Sequence, residues 1–280
     1  KLGFGPMSRE IVDIIADYTA EKQQPLMLIA SRNQIDAHSG YVMTTNELTD
    51  ALKGKDLTYL RLCRDHCGPY FLDSEKELPL AKALEATKQT IATDIANGFD
   101  LIHIDTSRWK DPYTIADELF NYALKLNPDI RFEFGTEENV GVAAGVKRFK
   151  RDVEFIKRYP NVDFVVAQTG SLTMEDRQIG SFNVGIVKKL VAFADQAGVK
   201  LKEHNADYFY PKDLNERKSA NIDSLNIAPQ LGKIQSVLLK EMAPPELWDA
   251  FALHVYNQGR WRRWTAEDTP DACIVNINLI

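Results

Sequence analysis

Two stretches concentrate side chains that do chemistry. One is LCRDHCGPY, Leu62 to Tyr70, with Asp65 and His66 side by side. The other is KEHNADY, Lys202 to Tyr208, with His204 between Glu203 and Asn205. These are two of only five histidines in the chain, and each adjoins a carboxylate. Imidazoles from separate segments, with one position left open, are what a catalytic zinc site needs. Such an ion is a Lewis acid for a carbonyl or enediolate oxygen. The reading takes His66 and His204 as metal ligands, with Glu137 or Asp105 to complete the set or to support it from behind. Asp65 is the proton shuttle, and Glu137 and Asp105 are the further catalytic carboxylates. Arg32 and Arg64 are the groups for a phosphate or carboxylate. Asn33, Gln34, Asn205 and Asn226 offer amides to a substrate. The turn Gln168-Thr169-Gly170-Ser171 and the helix start after Pro229 offer backbone N–H groups to a phosphate. Together these imply divalent-metal carbonyl chemistry on a phosphorylated sugar. His103, inside an apolar run, reads as a packed residue, and His38 and His254 read as structural.

The elements that must position these groups follow from periodicity. Short β-rich runs cover Lys1 to Gly5, Leu26 to Ala30, Thr58 to Leu62, Leu101 to Ile104, Ile130 to Phe134, Asp163 to Ala167, Val199 to Glu203 and Ser224 to Ala228. Helical periodicity fills the gaps. Ser8 caps a helix with Ile11, Ile14, Ile15 and Tyr18 on one stripe, and Asn46 caps the next. Further helices span 78–97, 113–126, 146–159, 183–197, 211–220 and 230–241. Eight strand–helix alternations imply a parallel sheet and, at this length, an α/β protein built as a closed (β/α)8 barrel over residues 1–242. An open doubly wound sheet is the alternative, but no GxGxxG follows the first strand. Residues 243–280 read as a C-terminal extension packed on the barrel or on a partner subunit, where Trp248, Trp261 and Trp264 could form an interface. In a barrel, catalytic groups belong at the C-terminal ends of strands. The polar residues named above follow or end those runs.

Bulk properties narrow the classes. The chain has 280 residues, 44% hydrophobic and 26% charged, which is the composition of an ordinary globular protein. No run reaches the roughly 18 apolar residues of a membrane span, and the opening KLGFGPMSRE has no apolar h-region, so a cytoplasmic chain is expected. A net charge of −6 with mixed signs argues against a nucleic-acid partner. The segment RWRRW, Arg260 to Trp264, is the local exception and reads as a capping or interface segment. Cys63, Cys67 and Cys273 form neither a disulfide framework nor a CxxC pair and read as buried thiols.

With these pieces in order, the chain resembles the accessory (Z-type) subunits of class II tagatose-bisphosphate aldolases. The likeness is carried by PLMLIASRNQIDAHSGYVMT (Pro25 to Thr44), RDHCGP (Arg64 to Pro69), NGFDLIHIDTS (Asn97 to Ser107), FGTEE (Phe134 to Glu138), KEHNADY and LNIAPQLG (Leu225 to Gly232). The resemblance implies a (β/α)8 barrel, a divalent metal such as zinc, and a metal-dependent aldolase acting on a phosphorylated ketose through an enediolate. It implies Asp65 as proton donor and His66 and His204 as zinc ligands. A middle histidine is expected where this chain reads VVAQTGS, with Gln168 instead, which leaves Glu137 or Gln168 as third ligand, or metal weak or absent. The Z-type subunits are regarded as non-catalytic helpers of a separate aldolase chain. An accessory subunit, a metal-dependent sugar(-phosphate) epimerase and a homo-oligomer therefore stand as alternatives.

Overall fold

The computed structural model describes residues 1–136, 138, 140–259 and 268–270. Eight parallel strands carry it: β1 (Leu2–Phe4), β2 (Leu26–Ser31), β3 (Leu60–Cys67), β4 (Leu101–Asp105), β5 (Arg131–Gly135), β6 (Val162–Val166), β7 (Lys200–Glu203) and β8 (Ser224–Ile227). They close into a barrel in the order β1-β8-β7-β6-β5-β4-β3-β2. A helix follows each strand: α1 (Arg9–Lys22), α2 (Thr45–Leu52), α3 (Leu80–Ala96), α4 (Pro112–Leu126), α5 (Val146–Ile156), α6 (Val184–Gln196), α7 (Pro211–Ser219) and α8 (Pro229–Met242). A ninth, α9 (Pro245–Gln258), follows α8. Its Trp248, Ala252 and Val255 are buried together. Trp261, Trp264, Cys273 and the rest of RWRRW lie outside the described residues.

The helices end where local chemistry stops them. Ser8 accepts the Ile11 N–H at the start of α1. For α2 the cap is Thr44, not Asn46: the Thr44 hydroxyl takes the Glu47 N–H while Glu47 reaches back, a reciprocal capping box. The buried face of α1 is Ile11, Val12, Ile15, Ala16 and Thr19. Ile14 and Tyr18, expected on that face, are exposed.

The largest core lies between strands and helices, with Phe120, Phe132, Phe134, Phe149 and their neighbours. Inside the barrel Met27, Ile29, Cys63, Leu101 and Phe164 form an apolar plug. Strand alternation places the next inward residues one layer higher, and there the sequence changes character. Cys63 gives way to Asp65, and Leu101 to His103 and Asp105. Lys202 spans the layers: its ammonium lies 3.9 Å from the Met27 sulfur and 5.2 Å from the centre of the Phe164 ring. A polar layer thus sits on an apolar floor at the C-terminal half of the barrel.

Candidate metal centre

The sequence pattern ends the third strand at Leu62. The strand runs on to Cys67, so Arg64, Asp65 and His66 lie within it. Their pairing with β4 is irregular: Arg64 lies opposite Ile102 but Cys67 opposite Ile104. This bulge breaks the strict alternation of sides. His66 takes a left-handed backbone, φ 48°, uncommon for a residue with a side chain. The bulge lets two consecutive side chains, Asp65 and His66, serve one site.

Ligand atoms of Asp65, His66, His103 and His204 all lie within 4.8 Å of one another. His66 Nδ1 donates to Asp105 Oδ2 at 2.6 Å, which leaves Nε2 on the side of Asp65, 3.6 Å from its Oδ2. His103 Nδ1 accepts the His66 N–H at 3.3 Å and lies 3.1 Å from Asp65 Oδ1. His204 Nε2 lies 2.9 Å from Glu133 Oε1 and 3.7 Å from Asp65 Oδ1. Glu133 also accepts from the Lys202 ammonium at 2.5 Å. Gly135 makes room for this packing, because a Cβ there would stand 3.2 Å from His103 Nε2.

The charges of this layer are strongly biased. Burial alone raises the Asp65 carboxyl; His66, His204 and His103 reverse that and hold it well below the usual carboxylate range. Asp105, against its own burial, is held at about 2 by His66 and His103. Glu133 is likewise at about 2, with Lys202 and the two imidazoles overcoming burial. Burial lowers His66, but Asp65 and Asp105 more than offset it and bring it to about 9. For His204 burial wins, so its pKa falls and the ring is neutral. Three carboxylates, Asp65, Asp105 and Glu133, face the Lys202 ammonium and a protonated His66, and a divalent cation would take the place of the His66 proton. The donor set therefore fits a divalent metal with an open position: three imidazoles, the Asp65 carboxylate beside them, and Asp105 holding His66 through its Nδ1.

The expected residues divide clearly. Asp65, His66 and His204 come together, and Asp105 supports His66. The third imidazole is His103, which sequence reasoning set aside as packing, and Glu133 and Lys202 were given no role. Glu137 lies outside the described residues. Gln168 is half-buried, and its carbonyl accepts from Ala144 N.

The phosphate groups expected from the sequence are otherwise engaged. Arg64 is not at the site: it points outward and pairs with Asp94 through Nε at 2.6 Å and Nη2 at 2.7 Å, and also donates to the Ala30 and Ile35 carbonyls. Arg32 is spent on Glu75 at 2.7 Å, Thr90 and the Gly68 carbonyl. Both arginines are 1% exposed. Asn33 donates to the Phe71 carbonyl, and Gln34 accepts from Ser31. Ser171 donates to the His204 carbonyl. Gly170, φ 100°, packs so closely on the Ser181 carbonyl that a Cβ would meet it at 2.0 Å. Asn205 is left-handed, φ 57°, and its carbonyl takes Gln178. Asn226 is buried, and neither atom of its amide has a partner among the described residues. Cys63 and Cys67 are free and buried, as expected.

Comparison with known proteins agrees with this geometry. Residues 8–122 match the family model described as D-tagatose-1,6-bisphosphate aldolase subunit GatZ/KbaZ-like, so the resemblance read from the motifs is shown. A solved structure described as a probable tagatose 6 phosphate kinase from Sinorhizobium meliloti 1021 superposes with a TM-score of 0.79 at 18% identity, over 99% of this chain and 81% of that one. The YdjI aldolase from Escherichia coli K12 gives 0.58 at 14% identity, over 87% and 82%. The fructose-bisphosphate aldolase from Campylobacter jejuni gives 0.59 at 13%, over 86% and 75%. At these identities the structures establish the (β/α)8 fold alone. With the family match they support an aldolase-related function.

Proposed function

We propose that the chain is a metal-dependent aldolase-type lyase that makes or breaks the carbon–carbon bond beside a ketose carbonyl. The observation that carries this is the convergence of His66, His103, His204 and Asp65 from three strands onto one point at the C-terminal half of the barrel. A divalent cation held there, zinc by its donor set, supplies Lewis-acid polarisation of a carbonyl. The protein's own groups do the rest. Asp105 fixes the His66 ring, and Glu133 fixes His204 while Lys202 neutralises Glu133. Asp65 is ionised and takes the proton of the hydroxyl whose carbon becomes the aldehyde. The carbon–carbon bond then breaks, its electron pair passes to the ketone-derived fragment, and a proton from solvent at that carbon completes the ketone. In condensation Asp65 returns the proton. The sugar bisphosphate in the matched family's name makes a phosphorylated ketose the reference substrate.

The test is exchange of the C3 proton of dihydroxyacetone or its phosphate in deuterated water, with added zinc and with chelator. Chelator-sensitive, stereospecific exchange supports the reading. Its absence with metal bound removes it.

The same description, an aldolase subunit, favours one second reading: a non-catalytic partner of another aldolase chain. That reading predicts no exchange by the chain alone, and activity that appears only with its partner.

A further inference from the structure

(β/α)8 barrels frequently take a phosphate between the loops after their seventh and eighth strands, on backbone N–H groups opening a helix. In this chain that place is filled from within. Asp207, in the loop after β7, is buried, and its Oδ1 accepts the N–H groups of Ala228 at 3.0 Å and Gln230 at 2.9 Å. Residue 229 is proline and has no N–H to give. Gln230 turns back to accept the Tyr208 N–H at 2.9 Å. The two loops are further joined where Ala206 N donates to the Asn226 carbonyl at 2.9 Å. The first turn of α8 is therefore capped by a carboxylate of the protein itself. The other groups suited to a phosphate, Arg32, Arg64 and Ser171, are committed as described above.

The same corner holds polar atoms of another kind. Asp207 Oδ2, the Tyr208 hydroxyl and both amide atoms of Asn226 are buried without a partner among the described residues. Gly3, paired with Asn226 across β1 and β8, leaves the space the amide occupies, since a Cβ there would lie 2.6 Å from Asn226 Oδ1. Unpaired buried polar groups are costly unless something completes them. A carboxylate oxygen, a phenol and an amide offer acceptors as well as donors, which suits hydroxyl groups, and the carboxylate is what opposes a phosphate.

We propose that the site takes its substrate as an unphosphorylated ketose, with Asp207 occupying the phosphate position and the Asp207–Tyr208–Asn226 corner receiving a terminal hydroxyl. This rests on the aldolase-type reading above, keeps its reaction, and replaces its phosphorylated reference substrate with an unphosphorylated one. A phosphate brought against the fixed Asp207 carboxylate meets like charge and is disfavoured.

Two measurements test it. The first is calorimetric titration of inorganic phosphate into the metal-loaded protein and its Asp207→Asn and Asp207→Gly variants. The expected result is no millimolar binding to the parent and measurable binding to at least one variant. Tight phosphate binding to the parent that both variants leave unchanged overturns the proposal. The second compares proton exchange on dihydroxyacetone and on its phosphate. The parent is expected to prefer the unphosphorylated donor by about 100-fold in kcat/KM, with the preference reduced in Asp207→Asn. Equal or better use of the phosphate ester overturns the proposal. Exchange of neither donor removes the aldolase reading, and the phosphate titration still decides the role of Asp207.

Discussion

At the residue scale, His103 is the side chain on which the metal reading turns. It supplies the third imidazole, so His103→Ala is expected to weaken divalent-metal binding by about 100-fold or more, and Glu133→Gln, which releases His204, by about 10- to 100-fold. Competition against a chelator of known affinity measures both, and parent-like affinity in His103→Ala refutes the ligand set. Asp207 gives a second prediction, through pH. Burial raises its carboxyl from 3.8 to about 6. The folded chain then binds that proton more tightly than the unfolded chain does. Stability from this group is therefore lost as pH rises from near 4 through 6, and above 6 the cost of the buried charge is complete. Asp207→Asn keeps an oxygen for the α8 cap and removes the charge. It should gain roughly 3 kcal/mol at pH 7 and well under 1 kcal/mol at pH 4. Denaturant unfolding at the two pH values decides this, and an equal effect at both refutes it. Asp65, His66 and His204 were legible from the sequence because they stand beside other polar residues near strand ends. His103, Glu133 and Lys202 were not, because LIHI, RFEF and VKLKE read as strands with an occasional polar residue. Nothing in a period of two distinguishes a polar side chain turned to a barrel axis from one turned to solvent.

At the scale of elements, β3 is where expectation and structure part. The apolar run stops at Leu62, but the strand continues to Cys67 because its two faces have different partners. Asp65 turns inward to the imidazoles, while Arg64 turns outward to α3. There Asp94 meets it in two hydrogen bonds, and both side chains are 0% exposed. Phe99 covers the guanidinium at 5.3 Å. This buried pair locks the strand that carries Asp65 and His66 against its helix. A sequence reading that assigns every arginine near a strand end to substrate has no means of seeing Asp94, thirty residues away. Removing one partner strands the other in the core. Asp94→Ala is expected to cost about 3–5 kcal/mol, whereas replacing both residues with apolar ones, Arg64→Met with Asp94→Leu, recovers most of that loss. Urea unfolding of the three variants tests the pair, and a single replacement that costs less than the double one refutes it. The helices were better read, since caps and periodicity are local. The exposed Ile14 and Tyr18 show the limit: a stripe four residues wide cannot say which edge faces the sheet.

At the scale of the whole molecule, the centre is a property of closure. The cluster sits at positions 65, 66, 103 and 204, on β3, β4 and just beyond β7, and Glu133 on β5 supports it. No pair of neighbouring strands holds the set. In the unfolded chain these groups are scattered, apart from the adjacent Asp65 and His66, so a cation has little affinity for that state. Binding must then stabilise the fold by mass action, by about 4 kcal/mol when free metal exceeds its dissociation constant a thousandfold. The three-residue strand β1 completes the ring between β2 and β8, so stability gained at the metal is shared by every strand. Thermal unfolding should shift upward with added zinc and return with chelator, and the shift should be absent in His204→Ala. A folded chain whose Tm ignores saturating metal would place the cluster among inherited polar residues and move the balance toward the partner-subunit reading. A shift that survives His204→Ala would show the metal bound elsewhere.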